Sequence, residues 1–465
     1  MIRVVGFSAR CLAQAATAAG LEVFAIDAFG DKDLEETTVG NCIVDWPPCS
    51  SMALDSVVVA DKAGFVPGKP AASSKTTCNW HHPSAQVNPT PAIVVSLESA
   101  GSNSDEIAPI LLAGGTENWS ARLAELHRKG PVFGPTLEQM QLLRNPQFWR
   151  ECVESCPGID FPATSFSPQS SPSTPGEGRL LQKTVDSAGG MGVSSTVAPA
   201  DTALNGDTAH SAGGAELLES GRNRYFQRFV RGASIGITLV LYPSPRKCRV
   251  LGATESWNAD DVPGPTEFIY RGSWGPIRIT TTQHAQLLHL ADCIRSRVGA
   301  IGWLQMDFIQ DEAQEKLWLL EMNPRWTSGM EVLARAGRKP VEHHLGAWNW
   351  IEEPDEGKPK DNNSQNGECC EAWAKCVFYA PRDLRLNSEQ IARIHGLNRK
   401  YFADLPNAAP SATAVTIEKG HPMLTVLAAH DGPAVLDRSG LRSQLLEILR
   451  KNLRHVEEII ADPKI

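Results

Sequence analysis

The sequence predicts a multidomain α/β protein, and three observations support this class. The chain has 465 residues, of which 42% are hydrophobic and 21% charged, an ordinary globular composition that suits about two to four domains. It opens with an apolar strand (2–7), an Ala-rich helix (8–19) and a second strand (21–27), which is the order of a βαβ unit. It closes with further strands and an amphipathic helix near 439–460, so an α/β segment also ends the chain.

Charge, hydropathy and cysteine usage exclude several classes of protein. The 44 Lys and Arg residues against 53 Asp and Glu residues give a net charge of −9, which argues against a nucleic-acid-binding surface. The longest apolar run, 235–242, is far shorter than the roughly 20 residues of a membrane span, and the N-terminus lacks a signal-peptide layout. The eleven cysteines are scattered and form no zinc set, as expected for free thiols. We therefore expect a cytoplasmic protein without membrane or nucleic-acid partners.

Three segments of low complexity divide the chain. They are rich in Pro, Ser, Gly or charged residues and cannot bury enough apolar surface to offset the entropy of ordering. We interpret them as two insertions and a linker, at 64–90, 165–178 and 352–370. The predicted domains are an N-terminal βαβ domain, two parts of a central core and a C-terminal domain, at 1–133, 134–229, 230–351 and 371–465.

The N-terminal domain has the spacing of a dinucleotide site but lacks its glycines. Two further strands are predicted here, at 92–96 and 109–113. Gly6 follows the first strand and Asp27 ends the second, 21 residues later, as in a dinucleotide fingerprint. Only one glycine stands where three are required, so a structural βαβ domain is favoured and dinucleotide binding is the alternative.

A Gly-rich turn follows a strand that carries Lys183. The segment 179–193 places Gly189, Gly190 and Gly192 after this lysine. Small residues allow backbone N–H groups to converge on phosphate oxygens, and the lysine supplies a compact positive charge. No GK[ST] follows, so this is not a P-loop, and a plain hairpin turn is the alternative.

The segment 225–232 contains a polar residue within an apolar strand. Gln227 lies among strong strand formers, and a buried amide requires a partner. An exposed edge strand is the alternative. Several arginines surround this segment and suit either an anion or a solvated face.

The hairpin at 302–323 gives the strongest signal for a functional site. Two apolar strands flank a polar turn, and residues two apart in a strand share a face. Glu321 and Asn323 are therefore expected to point the same way as Leu317 and Leu319.

Asp307 is expected to lie directly opposite Glu321. A turn symmetric about Gln314 pairs these residues, and cross-strand Cβ atoms lie about 5 Å apart. Two bare carboxylates this close repel each other, whereas a divalent cation removes the repulsion. With the amide oxygen of Asn323, the set suits Mg²⁺ (or Mn²⁺) held together with substrate phosphates. Arg325 follows at once, where a guanidinium stabilises a transferring phosphoryl group.

These segments, in this order, resemble the ATP-grasp superfamily. The pieces are QK-x₅-GGMG (182–192), QRFV (227–230) and MDF-x₁₂-LEMNPR (306–325), and the match covers about 134–335. The resemblance implies a pre-ATP-grasp domain, a two-subdomain α+β core and a small C-terminal α/β segment. It also implies a ligase that activates a carboxylate with ATP as an acylphosphate and joins it to an amine, both of them small molecules.

The resemblance assigns roles by motif. The residues implied to contact ATP are Lys183, Gly189, Gly190, Gly192, Gln227, Arg228, Phe229 and Val230. Those implied to hold Mg²⁺ are Asp307, Glu321 and Asn323. Arg325 is implied as the catalytic residue. A non-catalytic nucleotide sensor with the same fold is the alternative function.

The sequence departs from the family pattern at two places. The hinge has Gln227 and Arg228 where the family usually has an acidic residue. Only Arg144 or Arg150 stands where the family often has another lysine. Glu117 either closes the substrate site or, as we favour, starts a helix.

The C-terminal half adds a finer resemblance. The segment after Arg325 and the pieces ADLP (403–406) and GHPMLTVLA (420–428) resemble predicted ATP-dependent carboligases, with tails similar to biotin carboxylase. Some members of that group are linked to tetrahydromethanopterin or methanofuran one-carbon metabolism.

The adjacent His343 and His344 are poor joint ligands on a helix. The segment 270–276 is expected to form a loop over the acceptor.

Overall fold

The computed structural model describes most of the chain. The described residues are 1–43, 108–118, 120–166, 179–185, 187–196, 224–311, 316–354, 372–407, 414–430 and 437–461. The predicted insertion at 64–90 and the predicted strand at 92–96 lie outside these ranges, as do most of 165–178 and 352–370.

The N-terminal part forms a five-stranded parallel sheet. Its strands are β1 (Ile2–Val5), β2 (Val23–Asp27), β3 (Gly40–Ile43), β4 (Ile110–Leu112) and β5 (Val132–Phe133). Its helices are α1 (Arg10–Ala18), α2 (Lys32–Thr37) and α3 (Ser120–Lys129). The strand order is β3-β2-β1-β4-β5, so the predicted βαβ unit and the strand near 109–113 are confirmed.

The residues of the dinucleotide-like spacing serve the backbone of this sheet. A Cβ on Gly6 would lie 2.5 Å from the Cβ of Ala113, so glycine permits the close approach of β1 and β4. Asp27 is fully buried and accepts hydrogen bonds from the N–H groups of Ala9 at 2.6 Å, Phe29 at 2.8 Å and Gly30 at 2.9 Å. Its carboxylate is thus occupied by the turn.

A four-stranded antiparallel sheet follows. The next elements are α4 (Leu137–Leu143), α5 (Pro146–Glu154), β6 (Ile159–Asp160), β7 (Thr164–Ser165), β8 (Leu180–Thr184), β9 (Val193–Thr196) and β10 (Arg224–Arg228). The sheet has the order β7-β10-β8-β9. β10 therefore lies between two neighbours, so Gln227 is not on an edge strand.

The largest sheet has nine strands and forms most of the core. The remaining elements are β11 (Ala233–Leu241), β12 (Arg249–Ser256), β13 (Gly272–Ile277), α6 (Thr281–Val298), β14 (Gly302–Asp311), β15 (Lys316–Asn323), α7 (Ser328–Arg335), α8 (Pro340–Ala347), β16 (Ala372–Tyr379), β17 (Leu384–Asn387), α9 (Ser388–His395), β18 (Phe402–Ala403), β19 (Ala414–Ile417), β20 (Pro422–His430) and α10 (Arg438–Ala461). The sheet has the order β18-β20-β16-β13-β12-β11-β14-β15-β6, and β17 pairs with β19. Strands that precede the segment 352–370 in the sequence and strands that follow it therefore belong to the same sheet.

The hydrophobic cores join these sheets. The largest core contains β14 and β15 residues together with Leu445, Leu449 and Val456 of α10, whose spacing confirms the predicted amphipathic helix. A second core packs Leu12 of α1 against Trp303 and Trp326. The N-terminal sheet therefore lies directly on the strand and loop that surround the candidate site.

A buried ionic network links the N-terminal helices to the C-terminal strands. Arg10, which is 1% exposed, donates to Asp404 at 2.7 and 2.8 Å and pairs with Glu331 of α7. Lys375 of β16 donates to the same Glu331 at 2.6 Å. The charges balance within the cluster, so it fixes α7 between three parts of the chain.

The cysteines and the helices bear on two expectations from composition. The seven cysteines within the described residues are free thiols. Among the described helices, none combines the length and the apolar character that crossing a bilayer requires.

Candidate active site

Two carboxylates face each other on the hairpin of β14 and β15. Asp307 and Glu321 are direct partners in the antiparallel register, as the sequence predicts. Closer to the turn the register differs by one residue, so Phe308 pairs with Leu319 and not with Leu320. A bulge between Asp307 and Phe308 joins the two registers and brings Glu321 opposite Asp307.

Because of this bulge, the side chains of β15 do not all point as the sequence predicts. Leu317 and Leu319 belong to the large core, and so does Met322, which simple alternation would place on the other face. The extra residue reverses the alternation, so Glu321 and Asn323 face away from these leucines. The prediction that the four side chains share a face is wrong, because it assumed an uninterrupted strand.

Amide side chains hold the two carboxylates in one orientation. Asn323 Nδ2 donates to Asp307 Oδ2 at 2.9 Å and to Glu321 Oε1 at 3.0 Å. Gln305 Nε2 donates to the other oxygen of Asp307 at 2.7 Å, and Thr327 Oγ1 donates to Gln305 Oε1. Thr327 is the N-cap of α7 but makes no side-chain cap bond, so its hydroxyl supports the site instead.

The two facing carboxylates have different electrostatic surroundings. Burial and the neighbouring Glu321 raise the pKa of Asp307 to about 8. Burial by itself would also raise the pKa of Glu321, but Arg144, hydrogen bonds from Asp307 and Asn323, and Lys183 lower it below its ordinary value. The surroundings therefore move the two pKa values in opposite directions, and a bound cation would favour the charged form of both carboxylates.

Lys183 reaches the site from β8 of the four-stranded sheet. Its Nζ donates to Gln227 Oε1 at 2.8 Å, and Gln227 Nε2 donates to Thr164 Oγ1 at 3.2 Å. Gln227 is 1% exposed, so the lysine and the threonine are the partners that its buried amide requires. The pKa of Lys183 lies below its ordinary value because burial lowers it. The hairpin carboxylates have the opposite but smaller effect.

Arg144 connects the hairpin with the Gly-rich loop. Its Nη1 donates to Asn323 Oδ1 at 3.1 Å, and its Nη2 donates to Val185 O and Ser187 O, both at 2.7 Å. Arg144 is the C-cap of α4, and the Asn-Pro step that follows begins α5. Of the two arginines that the sequence offered, Arg144 lies at the site and Arg150 is exposed on α5.

Arg325 is held by a carboxylate of the N-terminal sheet. Its Nη2 donates to Glu117 Oε1 at 2.5 Å and to Asn323 Oδ1 at 3.3 Å. Burial by itself would raise the pKa of Glu117, but the guanidinium lowers it below its ordinary value. The next residue, Trp326, donates its N–H to Leu112 O at the end of β4 at 2.9 Å. The arginine is therefore fixed by side chain and backbone together.

The Gly-rich turn between β8 and β9 needs glycine for conformation and for space. Gly189 and Gly190 have φ values of 62° and 83°. A Cβ on Gly190 would lie 1.8 Å from Phe268 O, and one on Gly192 would lie 2.3 Å from a serine hydroxyl of the same loop. The carbonyls at the start of this loop are those that accept from Arg144.

The predicted hinge joins the four-stranded sheet to the nine-stranded sheet. β10 ends at Arg228, and Phe229 and Val230 are half-buried in the connection to β11. Arg228 N–H donates to Ala163 O at 2.9 Å, and Phe229 N–H donates to Arg179 O at 2.8 Å. The hinge backbone is thus anchored on the side of the four-stranded sheet.

The two adjacent histidines of α8 point apart, as expected. His343 Nδ1 lies 3.0 Å from Tyr242 Oη. His344 Nδ1 accepts from Trp303 N–H at 3.0 Å, and its Nε2 lies 3.0 Å from Phe133 O. Neither ring is directed at the carboxylate pair.

The donor set fits a hard divalent cation whose coordination shell is completed by phosphate oxygens. Asp307, Glu321 and Asn323 offer carboxylate and amide oxygens, the ligands that Mg²⁺ prefers. Within the described ranges, no group of three or more His, Cys, Asp or Glu side chains is placed to hold a metal ion. Asn323 directs its nitrogen at the carboxylates, so ligation through Oδ1 requires its amide to turn. Lys183 and Arg144 supply positive charge for an anion beside the pair.

Three supporting residues are only partly visible in the sequence. Gln305 lies two residues before Asp307, so period-two alternation signals its shared face. Glu117 forms the expected turn after β4 but also reaches Arg325, and its signal is an acidic residue after a Gly-Gly pair. For Arg144, the only signal in the sequence is that it stands where the family often has another lysine.

Solved structures share this fold. The N5-carboxyaminoimidazole ribonucleotide synthetase of Thermus thermophilus has 14% identity and a TM-score of 0.57, with 100% of both chains covered. The phosphoribosylamine–glycine ligase of Thermotoga maritima has 13% identity and a TM-score of 0.58, covering 98% of this chain and 96% of its own. The biotin carboxylase domain of the Hydrogenobacter thermophilus 2-oxoglutarate carboxylase, solved with MgADP, ADP and bicarbonate, has 12% identity and a TM-score of 0.54, covering 93% and 86%.

At these identities the likeness establishes the fold. No protein-family model and no curated protein matches the sequence. The chain is a mixed α/β protein with the ATP-grasp fold, so the resemblance drawn from the three motifs is confirmed at the level of fold.

Proposed function

We propose that the chain is an ATP- and Mg²⁺-dependent ligase that joins a small-molecule carboxylate to an amine. One observation carries the proposal: two half-buried carboxylates face each other on the β14–β15 hairpin, surrounded by Lys183, Arg144 and Arg325. A site with this charge pattern suits a phosphate chain bridged to a divalent cation.

The nucleotide is proposed to lie between the four-stranded and the nine-stranded sheets. Lys183 and the loop at Gly189, Gly190 and Gly192 would contact its phosphates. The adenine would lie against the hinge residues Gln227, Arg228, Phe229 and Val230. This layout assigns 134–229 and 230–351 to the two halves of the core, after an N-terminal domain (1–133) and before a linker (352–370) and a C-terminal domain (371–465).

The hinge sequence bears on how Lys183 is held. A neutral amide at Gln227 accepts from the ammonium without neutralising it. The full charge of Lys183 therefore remains available to a phosphate group.

Asp307, Glu321 and Asn323 would hold Mg²⁺, which when bound screens the phosphate oxygens of ATP. Arg325 would steady the transferring phosphoryl group, and Glu117 fixes the direction of its guanidinium. A substrate carboxylate oxygen would bond to the γ-phosphorus of ATP, so that ADP leaves and an acylphosphate forms. An amine would then displace phosphate and form the amide. We place the reaction in cofactor or small-molecule biosynthesis.

The solved structures support this kind of reaction. One is a synthetase of a carboxyaminoimidazole ribonucleotide and another a phosphoribosylamine–glycine ligase, and a third holds MgADP and bicarbonate. A link to one-carbon cofactors rests on the sequence resemblance of the C-terminal half. A catalytic role is favoured over a nucleotide sensor because a sensor does not need Arg325, whose guanidinium is held here by the buried carboxylate of Glu117.

The experiment is phosphate release from ATP over a panel of amino acids, amines and pterin precursors. Wild-type protein with Mg²⁺ is compared with Glu321→Ala and with Glu447→Ala, an exposed glutamate of α10 that serves as a matched control. We expect release that depends on a panel member and is lost in Glu321→Ala but not in Glu447→Ala. ATP binding without release from any member would favour the sensor.

A further inference from the structure

The loop between β12 and β13 (257–271) contacts the Gly-rich loop. Tyr270 N–H donates to Gly189 O at 2.9 Å. Gly190 lies so close to Phe268 that a Cβ would be 1.8 Å from the Phe268 carbonyl oxygen. Because one loop belongs to the nine-stranded sheet and the other to the four-stranded sheet, this contact joins the two sheets.

The same loop also reaches the hinge through Arg179. The guanidinium carbon of Arg179 lies 5.0 Å from the centre of the Phe268 ring and 5.2 Å from that of Phe229. Arg179 Nη1 donates to Glu267 Oε1 at 2.5 Å. The hinge residue Phe229 donates its N–H to the carbonyl of Arg179. The loop thus contacts the four-stranded sheet at both the phosphate end and the hinge end of the proposed nucleotide site.

Arg271 gives this loop its shape from within. Its Nη2 donates to Thr266 O at 2.5 Å, and its Nη1 donates to Glu267 O at 2.8 Å and to Ile269 O at 3.1 Å. The side chain is 4% exposed, so its charge is enclosed by the carbonyls of its own loop. Three carbonyls turn inward to the guanidinium, and Phe268 O turns toward the Gly-rich loop. The strand β13 begins at the next residue, so the predicted acceptor loop at 270–276 is mostly strand.

We propose that the loop 257–271 is a docking platform that holds the Gly-rich loop over the nucleotide, with Arg271 as a positioning residue that acts through it. The inference rests on the proposed function only in naming ATP as the ligand beneath the loop. The docking itself is a property of the protein without nucleotide. Glycine is needed at 190 because the platform carbonyl occupies the space of a side chain.

Two neighbouring glycines supply a matched test. Gly189 and Gly190 both have positive φ, so an alanine costs similar backbone strain at either position. A Cβ on Gly189 meets no atom within 4 Å, whereas one on Gly190 collides with backbone of the platform. A difference between Gly189→Ala and Gly190→Ala therefore isolates the contact from the strain.

The experiment measures hydrogen–deuterium exchange of peptides that contain Tyr270, in full-length protein without nucleotide. We expect Gly190→Ala to speed exchange of the Tyr270 amide about tenfold, and Gly189→Ala to change it by less than about threefold. Calorimetry with MgATP should show a Kd about tenfold weaker in Gly190→Ala and in Arg271→Lys, which keeps the charge but loses the fork. Urea unfolding of each variant confirms that it is folded.

The outcomes decide the docking and the proposed function separately. Equal Tyr270 exchange in the two alanine variants would overturn the docking platform. An unchanged MgATP Kd in both Gly190→Ala and Arg271→Lys would overturn the positioning role. If the wild-type protein binds no MgATP, the proposed function fails, while the exchange comparison still decides whether the two loops dock.

Discussion

His344 should make the stability of the protein depend on pH, and its surroundings define how. The ring is fully buried and stacks on Trp303, with centroids 3.6 Å apart. Its Nδ1 accepts the N–H of Trp303, on the strand that carries Asp307, and its Nε2 lies 3.0 Å from Phe133 O in the N-terminal sheet. A proton on Nδ1 would face the N–H of Trp303, so only the neutral ring fits.

The magnitude follows from the difference in pKa between the folded and unfolded states. Burial lowers the pKa of His344 to about 3, whereas an unfolded histidine has a pKa of about 6.5. Between these values the unfolded state binds the proton and the folded state does not, so stability falls as pH falls. Over the ~1.5 units from 6.5 to pH 5, at ~1.4 kcal/mol per unit, the loss is about 2 kcal/mol.

The assay is urea unfolding, followed by tryptophan fluorescence, at pH 7 and at pH 5. His344→Gln removes the titrating ring but keeps an amide donor, and His284→Gln replaces an exposed histidine of α6 as the control. Between the two pH values, wild type and His284→Gln should each lose about 2 kcal/mol more free energy of unfolding than His344→Gln. Equal losses in wild type and His344→Gln would refute the reasoning.

Two further predictions concern the cations of the site. Glu117→Gln leaves Arg325 buried without its carboxylate and should reduce the free energy of unfolding by about 3–5 kcal/mol, against less than ~0.5 kcal/mol for Glu447→Gln on the surface, as measured by urea unfolding. Arg144→Lys loses the guanidinium that joins Asn323 to the Gly-rich loop, and calorimetry should show a Kd for MgATP that is weaker by about tenfold or more. The control Arg150→Lys should leave the Kd unchanged. The same Kd in both variants would refute the role of Arg144.

The sequence predicts the hairpin well because strand periodicity is a local property. The two strands and the turn between them follow from two apolar runs and one polar segment, but the predicted pairing of Asp307 with Glu321 assumed a turn symmetric about Gln314. The register next to the turn is one residue off this symmetry, and the bulge restores the predicted pair. The bulge does not follow from the sequence, because inserting one residue changes which face each side chain takes without changing composition. The face of Leu317 and Leu319 was therefore predicted wrongly, although the pairing that defines the site was right.

Contacts between distant parts of the chain are the features that sequence patterns do not reveal. Glu117 and Arg325 are separated by 208 residues, and nothing in the local sequence of either specifies the other. The same holds for Gly190 and Phe268, whose contact depends on how two sheets lie against each other. Arg144 was one of two candidates, and the direction of the α4–α5 junction selects it.

The most direct test of the central claim is the melting temperature of the protein with ATP, with and without Mg²⁺, in wild type and Glu321→Ala. A ligand present at 100 times its Kd stabilises the folded state by about 2.7 kcal/mol, which is readily seen as a shift of the transition. The account predicts that ATP with Mg²⁺ raises the melting temperature of wild type, and that removing either Mg²⁺ or the Glu321 carboxylate strongly reduces the rise. A melting temperature that ATP leaves unchanged in the presence of Mg²⁺, or raises equally in Glu321→Ala, would contradict it.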